Sequence, residues 1–239
     1  MVVFHNAILR GLSSIYHHTN LIAQTRIPLP LPSNPSSALL ADLENRDSFV
    51  GFCAQWSAFV KCHHTGEETI LFPRLIKTLG ITNLMDQDVT QHQEMAEGLA
   101  RFDAYIVSVS PQPSPPKQRT AVLYGPDLRA IVESLIPSCI AHNYSEIASV
   151  LSLKEFRDPQ ILKDFQDWSA AKAREVPFFT TTMYFITNHD MGYEGGRTKD
   201  IPPIPWVIRW VCGAVGWWPY RRSWRFSSCD SWGRLRKKA

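Results

Sequence analysis

Four segments of the sequence repeat apolar residues at the spacing of an α-helix, and this pattern constrains the fold more than any other feature. They cover Val3 to Gln24, Ala38 to Thr78, Leu84 to Val109 and Asp127 to Leu153. Proline-rich stretches follow the first and third segments and cannot continue a helix, because proline lacks a backbone N–H. No run of alternating β-branched residues bounded by turns competes with this pattern. The sequence therefore predicts an all-α fold built on a four-helix bundle.

Local signals refine these segments. The second is long and is expected to form two pieces, with Gly80 as its stop. Pro137 lies inside the fourth segment and is expected to kink it. A fifth, more polar helix is predicted from Pro159 to Arg174. We therefore divide the chain into a bundle over residues 1–155 and an extension over residues 156–239.

The C-terminal extension differs in composition from the bundle. From Ile201 onward there are 8 basic residues and one acid, Asp230, whereas the first 200 residues carry 17 basic and 21 acidic side chains. Six of the 8 tryptophans lie between Gly192 and Ala239. Leaving so many large rings in water is unfavourable, so this irregular tail is expected to pack on the bundle. A membrane-surface contact is the alternative, because tryptophan interleaved with arginine suits an interface.

Several function classes are disfavoured by charge and composition. The body of the chain lacks the basic footprint that a nucleic-acid partner requires. The longest apolar stretch, Trp206 to Trp218, is too short to span a bilayer and contains Arg209. The N-terminus shows no signal peptide pattern. The 5 cysteines include no C-x-x-C pair, so a reducing, cytoplasmic location is expected.

Two pairs of residues carry the metal-binding signal. His63 and Glu67 are four residues apart in the second helix, and His142 and Glu146 are four apart in the fourth. This spacing puts each pair on one helix face, about one turn apart. His5 and His92 give the first and third helices an imidazole as well. Imidazole and carboxylate together suit a metal site in a bundle interior; the alternative is a set of buried, hydrogen-bonded histidines.

Other candidate ligands are set aside at this point. Adjacent histidines on a helix are not expected to face inward together, so four histidines are predicted at the surface or beside the ligands: His17, His18, His64 and His189. Glu68 is expected to be solvated or to orient His64. Cys62 is expected to be a small buried residue, because a soft thiolate is unusual among nitrogen and oxygen ligands.

These motifs resemble the hemerythrin-like family, which binds cations through a His/His/Glu signature. The signature is similar to the run from His63 to Pro73, and three more stretches match its other ligand helices: His5 to Arg10, His92-Gln93 and His142 to Glu146. The resemblance extends to fungal members through four parts of the tail: Glu194 to Gly196, Pro202 to Pro205, Trp224 to Phe226 and Cys229 to Gly233. It therefore covers nearly the whole chain.

The resemblance implies an antiparallel four-helix bundle with two irons bridged by carboxylates, and O2 as ligand or co-substrate. By this analogy, one iron takes His5 and His63, the other takes His92 and His142, and two carboxylates bridge them, Glu67 and Glu146.

The sequence departs from the family at Ala96, where the family usually has a further histidine. Losing that imidazole is expected to leave more open positions on the metals, which favours oxygen activation. The expected function is therefore an O2-dependent oxidoreductase acting on a small organic molecule, as in fungal secondary metabolism. The alternatives are a protein that binds or senses oxygen or iron without turnover, and a bundle that has lost its metal.

Overall fold

The computed structural model describes residues 1–22, 26–27, 29–111, 120–201 and 205–236. Much of the second predicted proline-rich connector, and residues 202–204 of the proline run in the tail, lie outside these described residues. The described part is helical, apart from loops and one isolated antiparallel bridge between Cys229 and Leu235. The all-α prediction is therefore confirmed.

The bundle contains the predicted helical segments. Its elements are α1 (Val2–Leu21), α2 (Ser37–Gly66), a π-helical turn (Glu67–Leu71), α3 (Phe72–Leu79), α4 (Asp86–Val109) and α5 (Gly125–Ser152). The second predicted segment thus forms two helices joined by the π-helical turn. It stops at Gly80, whose left-handed φ of 68° suits glycine. Helix α5 runs through Pro137 without a break.

The four long helices form a ring in which direction alternates. Helix α1 packs on α2 and α5, and α4 packs on the same two helices. His5 and His92, in the first turns of α1 and α4, meet the C-terminal part of α2 and of α5 at one end of the bundle. At the other end, the buried guanidinium of Arg46, early in α2, donates to the carbonyl of Leu123, just before α5. These contacts define an antiparallel four-helix bundle.

The π-helical turn follows from the sequence around Pro73. Proline at this position cannot donate to the carbonyl four residues earlier, and its ring would clash with that carbonyl in a regular α-helix. The wider turn relieves this conflict, and Phe72 donates its N–H to the carbonyl of Glu67 instead. Turns of this kind are frequent at functional sites, and this one carries Glu67 and Glu68.

The extension returns to the bundle after α6 (Pro159–Glu175). Helix α7 (Met183–Asn188) packs on α1 and α2, and the buried hydroxyl of Tyr184 donates to the carbonyl of Ala7 at 3.0 Å. Helix α9 (Arg221–Trp224) packs on α2. The extension therefore shares one hydrophobic core with the bundle.

The tryptophans of the tail do not all pack on the bundle, so the expectation that the bundle shelters these rings is wrong for most of them. Trp224 is buried, but four others are exposed: Trp206, Trp210, Trp218 and Trp232. The reason is geometric, because α8 (Trp206–Val211) is a six-residue helix whose described side chains include no fully buried one. Arg221 stacks over the ring of Trp218 at 4.1 Å, which covers part of that ring with a cation.

Among the described residues, no helix combines the length and apolar character needed to cross a membrane.

Candidate metal centre

Two adjoining groups of buried side chains lie at one end of the bundle. The first group is His5, His63, Glu67 and Glu146, and the second is His64, His92 and His142. Within each group the potential ligand atoms all lie within 4.8 Å of one another. The six residues predicted as ligands from the sequence are all present, although they come from four helices and the π-helical turn. Helix packing therefore brings together groups that are far apart in the sequence.

His5 is held in one orientation by the backbone of α5. Its Nδ1 lies 3.1 Å from the carbonyl oxygen of Asn143, which can only accept a hydrogen bond. Nδ1 therefore carries the proton, and the lone pair of Nε2 faces the cluster, 2.7 Å from Oε2 of Glu146. Histidines that bind metals are usually fixed in this way through their other ring nitrogen.

His92 and His142 show the same arrangement. Nδ1 of His92 donates to Oε1 of Glu68 at 2.7 Å, and Nδ1 of His142 donates to Oε1 of Gln91 at 3.3 Å. Each ring therefore presents the lone pair of Nε2 inward, and these two nitrogens lie 3.2 Å apart. Two lone pairs at that distance repel each other unless a cation lies between them. The geometry of these rings thus fits a metal ligand pair.

The carboxylates of Glu67 and Glu146 are completely buried. None of their four oxygens makes a hydrogen bond of normal geometry, and neither do the Nε2 atoms of His5, His63 and His64, although Nε2 of His5 lies 2.7 Å from Oε2 of Glu146. Buried polar atoms normally find partners, and buried charges are normally paired or bound to metals. The donor atoms that converge on this point are therefore of the kind, and in the arrangement, that a cation site needs.

The electrostatics of the two carboxyl groups support this interpretation. Burial, and then the negative charge of Glu146, raise the pKa of Glu67 well above its usual value. Burial also tends to raise the pKa of Glu146, but the close contact with His5 and the nearby imidazoles lower it overall. Without a cation, burial therefore favours the protonated form of Glu67, whereas the imidazoles around Glu146 favour its ionised form. Bound cations would allow both to ionise.

The imidazoles are prepared for metal binding. Burial lowers the pKa values of His63 and His64 well below the usual range, and it lowers the pKa of His142 to about 4. These rings are therefore neutral near pH 7. Neutral imidazole is the form that binds a metal, so these three rings could bind one without first losing a proton.

His64 differs from its prediction. Its ring is buried and stacks on His92, with 3.9 Å between ring centroids. The expectation that adjacent histidines cannot both face inward is therefore wrong for His63 and His64. The interior of a four-helix bundle is wide enough to receive side chains from two neighbouring positions on one helix, which point about 100° apart. The three remaining candidates belong to neither group: His17 is exposed, His18 is half-buried, and His189 is buried against Phe185.

The position of Ala96 also changes the argument made from the sequence. Ala96 is exposed on α4, so it does not leave a gap in the cluster. His64 brings a third imidazole to the group that contains His92 and His142. This group therefore offers three imidazoles, where two were expected from the sequence.

Several residues around the cluster were missed or misassigned from the sequence. Glu68, which was expected to be solvated or to orient His64, is partly exposed and accepts a hydrogen bond from His92. Asn143 and Gln91 hold the rings of His5 and His142. Asp88 is buried in the first turn of α4, and burial followed by the charge of Glu146 raises its pKa to about 6. Asp88 lies four residues before His92, so helical spacing puts both on one face of α4, and this spacing could have identified Asp88 from the sequence.

Comparison with known proteins agrees with this geometry. The model of the hemerythrin HHE cation binding domain matches residues 5–143. A protein of Cryptosporiopsis sp. (strain 8999), the dimeric xanthone biosynthesis cluster protein R11, is 26% identical over 237 residues, which cover 98% of this chain and 78% of that protein. No solved structure matches.

The fold and the buried cluster thus define a helical-bundle protein with a histidine and glutamate cation site. The chain belongs to the hemerythrin HHE cation binding domain family.

Proposed function

We propose that this chain binds two iron ions in the adjoining groups and uses O2 to oxidise a small organic molecule. The observation that carries the proposal is the convergence of five imidazoles and two unpaired, buried carboxylates on one point. Imidazole and carboxylate suit iron, and helical bundles build dinuclear iron sites from such side chains on facing helices.

The proposed roles follow from the contacts of each residue. His5 and His63 would hold one metal position, while His64, His92 and His142 would hold the other. Glu67 approaches His63 at 3.1 Å and His92 at 3.6 Å, one residue from each group, so it is suited to bridge the two positions. Glu146 approaches His5 at 2.7 Å and His142 at 3.9 Å and has the same property. Bound iron would supply the redox and oxygen chemistry of the site.

The surrounding residues would keep the ligands in place. The carbonyl of Asn143 and the side chains of Glu68 and Gln91 hold the protons on the outward ring nitrogens. The buried position of the cluster excludes water, which strengthens the attraction between carboxylate and cation.

Catalysis is supported by the relative from Cryptosporiopsis, whose printed name places it in a biosynthesis cluster. Reversible oxygen binding is the second candidate. The imidazoles favour this second candidate because they are divided unequally, three in one group and two in the other. A metal position with three imidazoles has fewer open coordination sites. A metal-free bundle is disfavoured, because it would leave two buried carboxyl groups without partners.

The five cysteines are all free. We infer a reducing, cytoplasmic compartment from this thiol content.

Anaerobic addition of ferrous iron followed by air separates the candidates. The proposed oxidase gives a transient optical spectrum and, in the presence of a substrate, a product. A long-lived oxygenated spectrum that reverses under vacuum would instead assign the chain to oxygen binding. No spectral change, with no bound iron, would reject both functions.

A further inference from the structure

A cavity of about 360 Å³ lies beside the metal centre, between the bundle and the C-terminal extension. The bundle contributes Phe4, Phe59 and His63, and the extension contributes Trp168 of α6 together with Phe178 and Phe185. A volume of this size is typical of sites for small organic ligands. The extension therefore completes a pocket that the four long helices alone do not form.

Five of the 16 described residues that line the cavity are phenylalanine or tryptophan. Phe4 contacts three of the other rings. The centroid of its ring lies 5.3 Å from the rings of Trp168 and Phe185, and 5.6 Å from the ring of His63. Flat rings in offset or edge-on contact leave flat surfaces, and such surfaces favour a flat aromatic guest. A flexible aliphatic chain would lose more conformational entropy on entering.

The charged residues that line the cavity are both cations. Lys172 and Arg174 are lining residues, and no aspartate or glutamate is found among the described residues that line it. Lys172 is paired with Glu175 at 3.2 Å, whereas Arg174 makes no ion pair with a described residue. This charge balance favours an anion and disfavours an amine.

Two buried polar atoms on lining residues also lack partners. They are the indole nitrogen of Trp168 and the hydroxyl of Ser169. Buried groups of this kind are usually satisfied. Both atoms are closed off from solvent, so the choice of ligand rests on the aromatic side chains and the cations of the cavity.

The cavity meets the metal centre through one side chain. The ring of His63 forms part of the wall, and its Nε2 lies 3.1 Å from Oε1 of Glu67. A ligand in the cavity would therefore be separated from the cluster by the ring of His63.

We propose that the cavity binds a flat aromatic acid, a fused-ring carboxylate or an acidic phenol, as the substrate of the metal centre. Its role as a substrate site rests on the oxidase function proposed above. Its ability to bind aromatic acids does not, because His63 is the one proposed metal ligand among the described residues that line the cavity.

The test uses 2-naphthoate as the aromatic acid and 2-naphthamide as its uncharged counterpart. Binding to the full-length protein is measured by calorimetry and by quenching of tryptophan fluorescence, with and without iron. The double variant Lys172→Gln/Arg174→Gln removes the cations from the rim. Lys163→Gln is the matched control, because Lys163 is exposed on the same helix and does not line the cavity.

The expected result is saturable binding of 2-naphthoate that the double variant weakens about tenfold, since one charged contact is worth about that factor. Binding of 2-naphthamide should change less than about twofold, and Lys163→Gln should match the wild type. Ser169→Trp should block both ligands by filling the cavity.

Absence of naphthoate binding by the folded wild type would overturn the proposal, as would equal binding by the wild type and the double variant. Iron content of the same samples separates the two proposals. A protein that holds two irons but binds no naphthoate keeps its metal function and loses this inference. A protein that binds naphthoate without ever holding iron keeps the aromatic-acid site and loses the oxidase function.

Discussion

Glu68 accepts a hydrogen bond of 2.7 Å from Nδ1 of His92 and so ties the π-helical turn after α2 to the first turns of α4. This contact keeps the proton of His92 on the outward nitrogen. It also offsets part of the effect of burial, which is the main cause of the lowered pKa of His92. A partly exposed carboxylate thus orients a buried ring.

Replacing Glu68 should therefore weaken iron binding without removing a ligand. Glu68→Ala is expected to lower the iron affinity of one position by about 10-fold to 100-fold, the usual effect of losing such a partner. Glu68→Gln should recover much of it, because the amide oxygen still accepts the hydrogen bond. Competition with a chelator measures the affinity. Glu94→Ala, on an exposed part of α4, is the control; an affinity loss equal to that of Glu68→Ala would remove this role.

His64 should behave as a ligand and not as a neighbour of the ligands. His64→Ala is expected to leave one iron tightly bound and to weaken the second by at least about tenfold, because the group with His92 and His142 loses an imidazole. Iron analysis after dialysis measures both positions. Retention of two irons with unchanged affinity would limit His64 to packing against His92.

The helices and ligand pairs could be predicted because both depend on local periodicity. Apolar residues at helical spacing defined the bundle, and His63 with Glu67 share a helix face wherever that helix packs. The inward direction of His64 could not be predicted, because it depends on the width of the bundle interior and on the neighbouring helix. The same limit applies to Asn143, which lies 138 residues from His5.

The tail shows a second limit of the sequence. Composition led us to expect apolar neighbours for its aromatic residues, but it carries no information on which rings the bundle can cover. Phe226 and Trp224 reach the core, whereas Trp206 is 81% exposed. Periodicity gives no information on this choice, because the tail consists of short helices and turns whose positions are set by tertiary contacts.

The contrast between buried Phe226 and exposed Trp206 should appear in the free energy of unfolding. Phe226 packs against Phe49 at 5.0 Å and Phe52 at 6.2 Å, so Phe226→Ala should lower the free energy of unfolding by about 3 kcal/mol. Trp206→Ala should change it by less than about 0.5 kcal/mol, because exposed side chains away from the core contribute little. Urea unfolding of both variants gives the comparison. Equal losses would show that the tail is not anchored through Phe226.

The metal-free protein should lose stability as the pH falls. Burial lowers the pKa of His142 to about 4, below its value of 6.5 in an unfolded chain, so the unfolded state binds more protons between these values. The same direction holds for four other buried histidines: His63, His64, His92 and His189. Asp88 and Glu67 act in the opposite direction, because their pKa values are raised.

Five histidines lose stability on acidification and two acids gain it, so we expect a net decrease in the free energy of unfolding below about pH 6.5. Thermal unfolding of the metal-free protein at pH 7 and pH 5 measures it. The midpoint should be lower at pH 5. A midpoint that stays constant or rises would contradict the assignment of neutral, buried imidazoles.

The most direct test is the iron content of the protein after anaerobic reconstitution and removal of free metal. The wild type and the control His17→Ala, altered at an exposed histidine, should each hold about two irons per chain, as expected for helical-bundle di-iron sites. The double variant His63→Ala/His142→Ala takes one imidazole from each group and should hold none. Two irons in that variant, or none in a folded wild type, would contradict the assignment of this cluster as a di-iron centre.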